Sequence, residues 1–334
     1  MNVNLSLVEP YTVSERSFND NMIYLDWNES PFQPEPVIEY FKKNPFIEYN
    51  LYPDPTNVEL INCLAKYTNA PFNLIEVFNG SDSALDYSLR TLLNIGDKVL
   101  IPYPNYSQIN QTITFLGSQI VYCQIENIEV SISNDIKLVY LSIPNNPIGY
   151  CLDLSPLIKK YPKVYFIIDE AYHEFAPEYS LFEKASLFTN LIVVRTFSKA
   201  LCLASLRLGY LTSNSNILEK IKLIKNNKEI NRLAQIAGIV TLQNIEWYQE
   251  KISQILKNKA NFISSIVNKS NIEIYASKAN FILIKHPDVK KIIAESKKIK
   301  MLIRDRSSFI SNTARITIGT EESMKKLAYL IQNL

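Results

Sequence analysis

The chain has 334 residues, 47% of them hydrophobic and 20% charged, which excludes a disordered chain and fits about two domains. Its 35 lysines and arginines against 33 aspartates and glutamates leave a net charge of +2, too balanced for a dedicated nucleic-acid binder. Cys63, Cys123, Cys151 and Cys202 form no CxxC pair, so neither a zinc knuckle nor a redox dithiol is expected, and reduced thiols fit the cytoplasm.

Met1 to Pro10 carries no basic cluster followed by an apolar core, so it is not read as a signal peptide. The first clear helical spacing covers Asp82–Leu93. From Val99 to Ile125 no residue is charged, but Pro102, Pro104, Asn105, Gln108, Asn110 and Gln111 interrupt the run, so no membrane span is expected. Strands are predicted at Lys98–Ile101, Gln119–Cys123, Leu138–Ser142, Val164–Ile168, Leu191–Arg195 and Leu208–Thr212. Apolar runs without alternation indicate strands covered on both faces, as in a mainly parallel sheet. Helices over Tyr106–Leu116 and Ser155–Tyr161 lie between them, which is α/β layering. Ile217–Asn226 and Leu233–Asn244 follow as helices.

The end of the chain changes character. Trp247–Asn268 reads as one long helix with Ile252, Ile255, Leu256, Ala260, Ile263 and Ile266 near one face. Strands at Asn271–Tyr275 and Asn280–Lys285, a helix at Val289–Lys298, strands at Met301–Arg304 and Ala314–Ile318, and a helix from Glu321 make a smaller α+β unit. The lysines of 290–300 read as the wet face of a helix. Glycine is scarce, with 7 in the chain, and Gly80, Gly149, Gly209 and Gly319 each sit beside polar residues at the edge of an apolar segment. Taken singly, each is plain turn chemistry.

Four polar segments stand at predicted strand ends: Asn145–Gly149, Asp169–Tyr172, Thr196–Lys199 and Arg207–Tyr210. In open α/β sheets ligands bind outside the carboxyl ends of strands, so Asn146, Asp169, Tyr172, Ser198 and Lys199 are candidates for one site. A lysine directly after a buried strand can serve as a nucleophile whose neutral amine condenses with a carbonyl. Taken alone, Lys199 reads as an ordinary surface lysine behind a helix-capping Ser198. The only histidines, His173 and His286, lack a paired ligand spacing, so no metal is expected and His173 reads as structural.

The order Asn-Pro-x-Gly, Asp-x-Ala-Tyr, Ser-Lys and then an arginine eight residues on resembles the aspartate-aminotransferase-like superfamily of pyridoxal-phosphate (PLP) enzymes. Within it the chain most resembles the histidinol-phosphate aminotransferases. The resemblance spans Pro10-Tyr11, Asn28-Glu29-Ser30-Pro31, Tyr52-Pro53-Asp54-Pro55, Asn79-Gly80-Ser81-Asp82, the four segments above, Arg304-Asp305 and Arg315–Thr320. It implies a fold type I transferase, with a mainly parallel seven-stranded sheet in a large domain over residues 46–246. An N-terminal arm over 1–45 would contribute to a small α+β domain completed by 247–334.

The resemblance also implies roles. Lys199 would hold PLP as a Schiff base and then move a proton, work for a lysine whose charged form is disfavoured. Asp169 would pair with the pyridine nitrogen, letting the ring accept electrons. Asn146 and Tyr172 would bond the ring's phenolic oxygen, and Tyr106 would stack on the ring. Ser81 and Asp82 at a helix start would meet the phosphate, with Thr196, Ser198 and Arg207. Tyr52 would reach the neighbouring subunit's phosphate, implying a homodimer with shared sites. Tyr11, Asn28, Arg304 and Arg315 would bind substrate, two arginines suiting a dianionic phosphate. Taken outside that resemblance, Arg304 reads as a surface salt bridge with Asp305 or Glu321.

The chain departs from the family at Ile148, at Leu51 before Tyr52, at Cys202 after the lysine, and at Asn227-Lys228-Glu229, where the family has Pro-Tyr-Asn beside the substrate cavity. The last change points away from an imidazole-bearing ketone and toward a smaller keto phosphate such as dihydroxyacetone phosphate. The expected reaction is transfer of an amino group between an amino acid, L-glutamate being the expected donor, and a phosphorylated ketone. A decarboxylase of phosphoserine or phosphothreonine shares these motifs and is the alternative. A non-catalytic PLP-binding regulator would need a DNA-binding module that these residues do not display.

Overall fold

A computed structural model describes Val8, Arg16 and residues 21–267 and 271–334, so Tyr11 lies outside the described residues. In chain order these form β1 (Ile23–Leu25), α1 (Glu35–Lys43), α2 (Val58–Thr68), β2 (Ile75–Phe78), α3 (Ser81–Leu92), β3 (Lys98–Pro102), α4 (Gln108–Phe115) and β4 (Gln119–Cys123). Then come α5 (Ile128–Ser131), β5 (Ile136–Ser142), α6 (Ser155–Lys160), β6 (Tyr165–Asp169), β7 (Leu191–Thr196), β8 (Gly209–Ser213), α7 (Ser215–Ile224), α8 (Arg232–Gln243) and α9 (Ile245–Val267). The chain ends with β9 (Glu273–Tyr275), β10 (Phe281–Lys285), α10 (Val289–Lys298), β11 (Met301–Asp305), β12 (Thr313–Thr317) and α11 (Glu321–Gln332).

The larger sheet has seven strands in the order β2-β8-β7-β6-β5-β3-β4. β3 through β7 pair in parallel, and only β8 runs against its neighbours. The unbroken apolar runs follow from burial on both faces. Val139, Leu141, Phe166, Ile168 and Val193 pack toward α2 and α8, against Leu60, Leu64, Ala234 and Ala237. The alternate residues Leu138, Tyr140, Ile167, Ile192 and Val194 pack toward α3 and α7, against Ala84, Leu85, Leu89, Ile217 and Ile221. β2 carries a charge that its pattern alone leaves unexplained. Glu76 is buried there and is neutralised by Lys225 at 2.6 Å and Lys222 at 3.4 Å.

The smaller sheet has five strands in the order β1-β11-β12-β10-β9, with β1 parallel to β11. Its core takes Ile252, Ile255, Phe262 and Ile266 from α9, Val289 and Ile292 from α10, and Met324, Leu327 and Ile331 from α11. One expectation about α9 is corrected. Ala260 is exposed, while Lys259 is buried with its ammonium donating to the Ser277 and Ala279 carbonyls at 2.9 and 2.7 Å. Asn268, the expected end of that helix, lies outside the described residues. No helix of the described residues is long and apolar enough to cross a membrane.

Candidate active site

β5, β6 and β7 are adjacent and parallel, so their carboxyl ends share one edge, and Ser142 faces Asp169 in register. This brings together the segments that begin at Asn145, Asp169 and Thr196. β8 returns antiparallel, so its start lies at the same edge and delivers Arg207, which adopts the left-handed region at φ 52°.

Asp169 lies in the interior of this edge, 4% exposed. Its carboxylate accepts from the Tyr140 hydroxyl and the Ala171 amide, each at 3.1 Å. Burial outweighs both bonds and pushes its pKa up to about 7. Lys199 donates to the Trp27 carbonyl oxygen at 2.8 Å. Desolvation, then the Arg315 charge, bring its pKa down to about 8. Near neutrality the two groups thus stand within reach of either protonation state, which acid–base work requires.

A chain of hydrogen bonds continues from here into the smaller sheet. The Tyr172 hydroxyl accepts from Asn28 Nδ2 at 2.8 Å and Asn146 Nδ2 at 3.4 Å. Asn146 Oδ1 in turn accepts from Arg315 Nη1 at 2.6 Å, and Arg315 Nη2 donates to the Asp26 carbonyl at 2.6 Å. Asn28 is held by Thr317, whose hydroxyl accepts from its amide at 3.0 Å, and by Asn280, which donates to its carbonyl at 3.0 Å. Burial raises the Tyr172 phenol, while Arg315 pulls it back.

A second cluster sits at the start of α3, whose first amides have no side-chain cap. Arg207 donates to Ser198 Oγ at 3.3 Å and to Asp82 Oδ2 at 3.0 Å. Asp82 Oδ1 accepts from the Tyr106 hydroxyl at 2.9 Å, and Thr196 Oγ1 donates to Ser198 Oγ at 2.9 Å. Two glycines allow this approach. A Cβ on Gly80, at φ 83°, would lie 2.6 Å from Arg207 Nη2, and one on Gly209 would collide with the Ser81 amide nitrogen.

Arg304 lies directly across from Arg315 in the β11–β12 register. Nearby, Asp305 binds Lys290 at 3.0 Å and Glu321 binds Lys325 at 2.6 Å. Tyr52 is 77% exposed, with the Lys228 ammonium 4.4 Å from its ring centre. His173 is buried beside Glu174 at 3.3 Å, and burial depresses its pKa. Sequence reasoning missed Tyr140, Asn105 and Thr317. Tyr140 looked like any strand aromatic, and Asn105, whose side-chain oxygen accepts from Ser142 at 2.7 Å, looked like turn chemistry.

A family description, aminotransferase class I and II, matches residues 20–331. The chain belongs to that family. Among curated members, it is 34% identical to the dihydroxyacetone phosphate transaminase of Campylobacter jejuni, over 99% of this chain and 96% of the relative. It is 33% identical to the histidinol-phosphate aminotransferase of Brachyspira hyodysenteriae, over 98% of this chain and 97% of the relative. The crystal structure of histidinol-phosphate aminotransferase from Sinorhizobium meliloti, in complex with pyridoxal-5'-phosphate, shares the fold. Its TM-score is 0.85 at 22% identity, covering 93% of this chain and 90% of that one.

Proposed function

We propose that this aminotransferase uses PLP to move an amino group from L-glutamate to a small phosphorylated ketone in two half-reactions. The ketone is of the dihydroxyacetone phosphate or imidazole-acetol phosphate kind. The observation that carries the reading is the hydrogen-bonded unit of Tyr172, Asn146 and Arg315 beside Lys199 and Asp169.

The residues present fit PLP. Uncapped amides at the start of a helix, two hydroxyls and a guanidinium converge where a phosphate group needs donors. A carboxylate that burial pushes up to about 7 calls for a cationic neighbour, and a protonated pyridine nitrogen is one. Ser81, Asp82, Thr196, Ser198 and Arg207 would hold the phosphate, Asp169 the ring nitrogen, Asn146 and Tyr172 the phenolic oxygen, Tyr106 the ring face and Lys199 the aldehyde carbon. When bound, PLP supplies a carbonyl that accepts the amino group and a ring that takes up the electron pair left on the substrate carbon.

The chain's own residues do the rest. Lys199, neutral above a pKa of about 8, takes the proton from the substrate α-carbon and returns it on the other side of the transfer. Arg315 binds the substrate's acidic end, and Arg304 across the ladder adds the second cation that a dianionic phosphate needs. Asn227, Lys228 and Glu229 support dihydroxyacetone phosphate over the imidazole-bearing ketone. Glu229 accepts from Ser83 in the first turn of α3 at 3.0 Å, so the segment that is Pro-Tyr-Asn in the family here brings a lysine and a carboxylate in place of the tyrosine and asparagine. The relative at 34% identity bears that substrate's name.

A second copy of the chain completes the site in this reading. Phe46 is 97% exposed and Tyr49 75%, beside Leu51 and Tyr52 between α1 and α2, an apolar stretch that a homodimer would cover. Tyr52 would then reach the partner's phosphate. Four free cysteines support a reducing, cytoplasmic location.

Purified protein loaded with PLP and given glutamate is expected to lose its aldehyde-form absorbance as 2-oxoglutarate appears. Dihydroxyacetone phosphate is then expected to restore the spectrum faster than imidazole-acetol phosphate. The reverse preference contradicts the substrate, and carbon dioxide release from phosphoserine or phosphothreonine without 2-oxoglutarate contradicts the reaction. Capture of PLP by the apo chain needs a neutral amine, so its rate is expected to rise with pH through about 8 and then level. A rate still climbing at pH 10 would mean that Lys199 keeps an ordinary ammonium. Gly209→Ala pushes on the Ser81 amide and is expected to weaken PLP binding by about 10-fold or more, measured by equilibrium titration.

A further inference from the structure

Residues 26–28 form one wall of the candidate site, and each touches a different functional side chain. The Asp26 carbonyl accepts from Arg315, the Trp27 carbonyl accepts from Lys199, and Asn28 donates to Tyr172. Asn28 is in the left-handed region at φ 58°, so the wall is an irregular segment with no ladder of its own to hold it.

Arg16, N-terminal to β1, binds the side chains of this wall. Its Nη1 donates to both carboxylate oxygens of Glu29, at 3.0 and 2.7 Å, and its Nη2 binds the Asp26 carboxylate. The guanidinium carbon lies 3.6 Å from the centre of the Trp27 ring and 4.5 Å from that of Tyr24. The Arg16 side chain is 9% exposed, and the Asp26 side chain is fully buried. One planar fork thus meets two carboxylates and two aromatic faces, a geometry that a lysine cannot reproduce.

We propose that Arg16 is a positioning residue of the active site. Its side chain holds residues 26–29 in place and so fixes the backbone carbonyls that orient Arg315 and Lys199. The proposal rests on the functional reading above for its kinetic and ligand-binding tests, and not for the tryptophan emission. Removing the guanidinium takes away the cation that the Asp26 and Glu29 carboxylates share. Their repulsion pushes the wall outward, and Arg315 loses its backbone acceptor along with its aim at the substrate's acidic end. The effect therefore falls on both half-reactions, because the glutamate and the ketone phosphate use the same arginine.

The test compares Arg16→Met, Arg16→Lys and Arg16→Met with Glu29→Gln in the PLP-loaded full chain. Arg16→Met is expected to raise KM for both glutamate and the ketone by 10-fold or more. Arg16→Lys is expected to recover part of the loss by keeping the charge, and the double variant part of it by relieving the repulsion. A purely structural arginine would lower the thermal midpoint in all three while leaving KM within twofold, and that result overturns the proposal. A second readout does not depend on turnover. The chain has two tryptophans, so in a Trp247→Phe background the emission reports Trp27 alone. Arg16→Met is expected to shift that emission and to weaken binding of 2-oxoglutarate, followed by the same signal, by 10-fold or more. Unchanged emission and unchanged binding overturn the positioning role. A wild-type chain that binds 2-oxoglutarate but aminates no ketone would refute the substrate reading and leave the role of Arg16 to the emission data.

Discussion

Replacing Lys199 with alanine is expected to lower the rate of amino-group transfer by roughly 10⁴-fold or more, the upper end of what a positioned acid–base group contributes. The reason lies in its surroundings. Desolvation and Arg315 bring the amine's pKa down to about 8, so near neutral pH far more of it is neutral and able to accept the proton than of an ordinary lysine. Arginine at the same position keeps a cation but stays protonated, so Lys199→Arg is expected to be as inactive as the alanine variant. Single-turnover absorbance with glutamate checks both, because it reads the first half-reaction without product release. Retention of even a tenth of the wild-type rate in either variant would assign the proton transfer to another group.

The second large effect concerns Asp169. Asp169→Asn preserves shape and removes charge, and is expected to slow transfer by roughly 10²- to 10³-fold, as loss of a preorganised electrostatic partner does. Stability of the apo chain is expected to move the other way. Because burial pushes the Asp169 pKa from 3.8 up to about 7, the folded chain keeps a proton that the unfolded chain releases between those values. Apo stability therefore falls as pH rises through that window, and this contribution disappears in Asp169→Asn. Thermal midpoints of apo wild type and variant measured from pH 4 to 8 check the sign. A variant less stable than wild type at pH 8 would mean that the carboxylate is satisfied by Tyr140 and Ala171 alone.

The parts of this site that were legible in the sequence are those where a polar group interrupts an apolar run. Asp169 ends β6, Thr196 ends β7 and Asn146 follows β5, so a parallel sheet brings them to one edge whatever the details of packing. The long helix α9 and the terminal α11 were legible from spacing, though Ala260 and Lys259 exchanged places. Lys259 is buried because two backbone carbonyls receive its ammonium, a partnership between distant segments that no local pattern announces. β1 and β2 were illegible for related reasons. β1 spans three residues, and the buried Glu76 of β2 becomes tolerable only when α7 supplies Lys222 and the residue after that helix is Lys225. Tyr140 and Arg16 were hidden because their roles depend on what they face. A strand tyrosine and an arginine in an N-terminal arm carry no signal until Asp169 and the 26–29 wall are placed against them.

Activity of this chain turns on covalent attachment of the cofactor at one nitrogen. Loading the full chain with PLP, reducing it with borohydride and sequencing its peptides by mass spectrometry tests this directly. The expected result is a single pyridoxyl-phosphate adduct on Lys199, absent from Lys199→Ala. An unmodified chain, or an adduct distributed over surface lysines with Lys199 untouched, would contradict it.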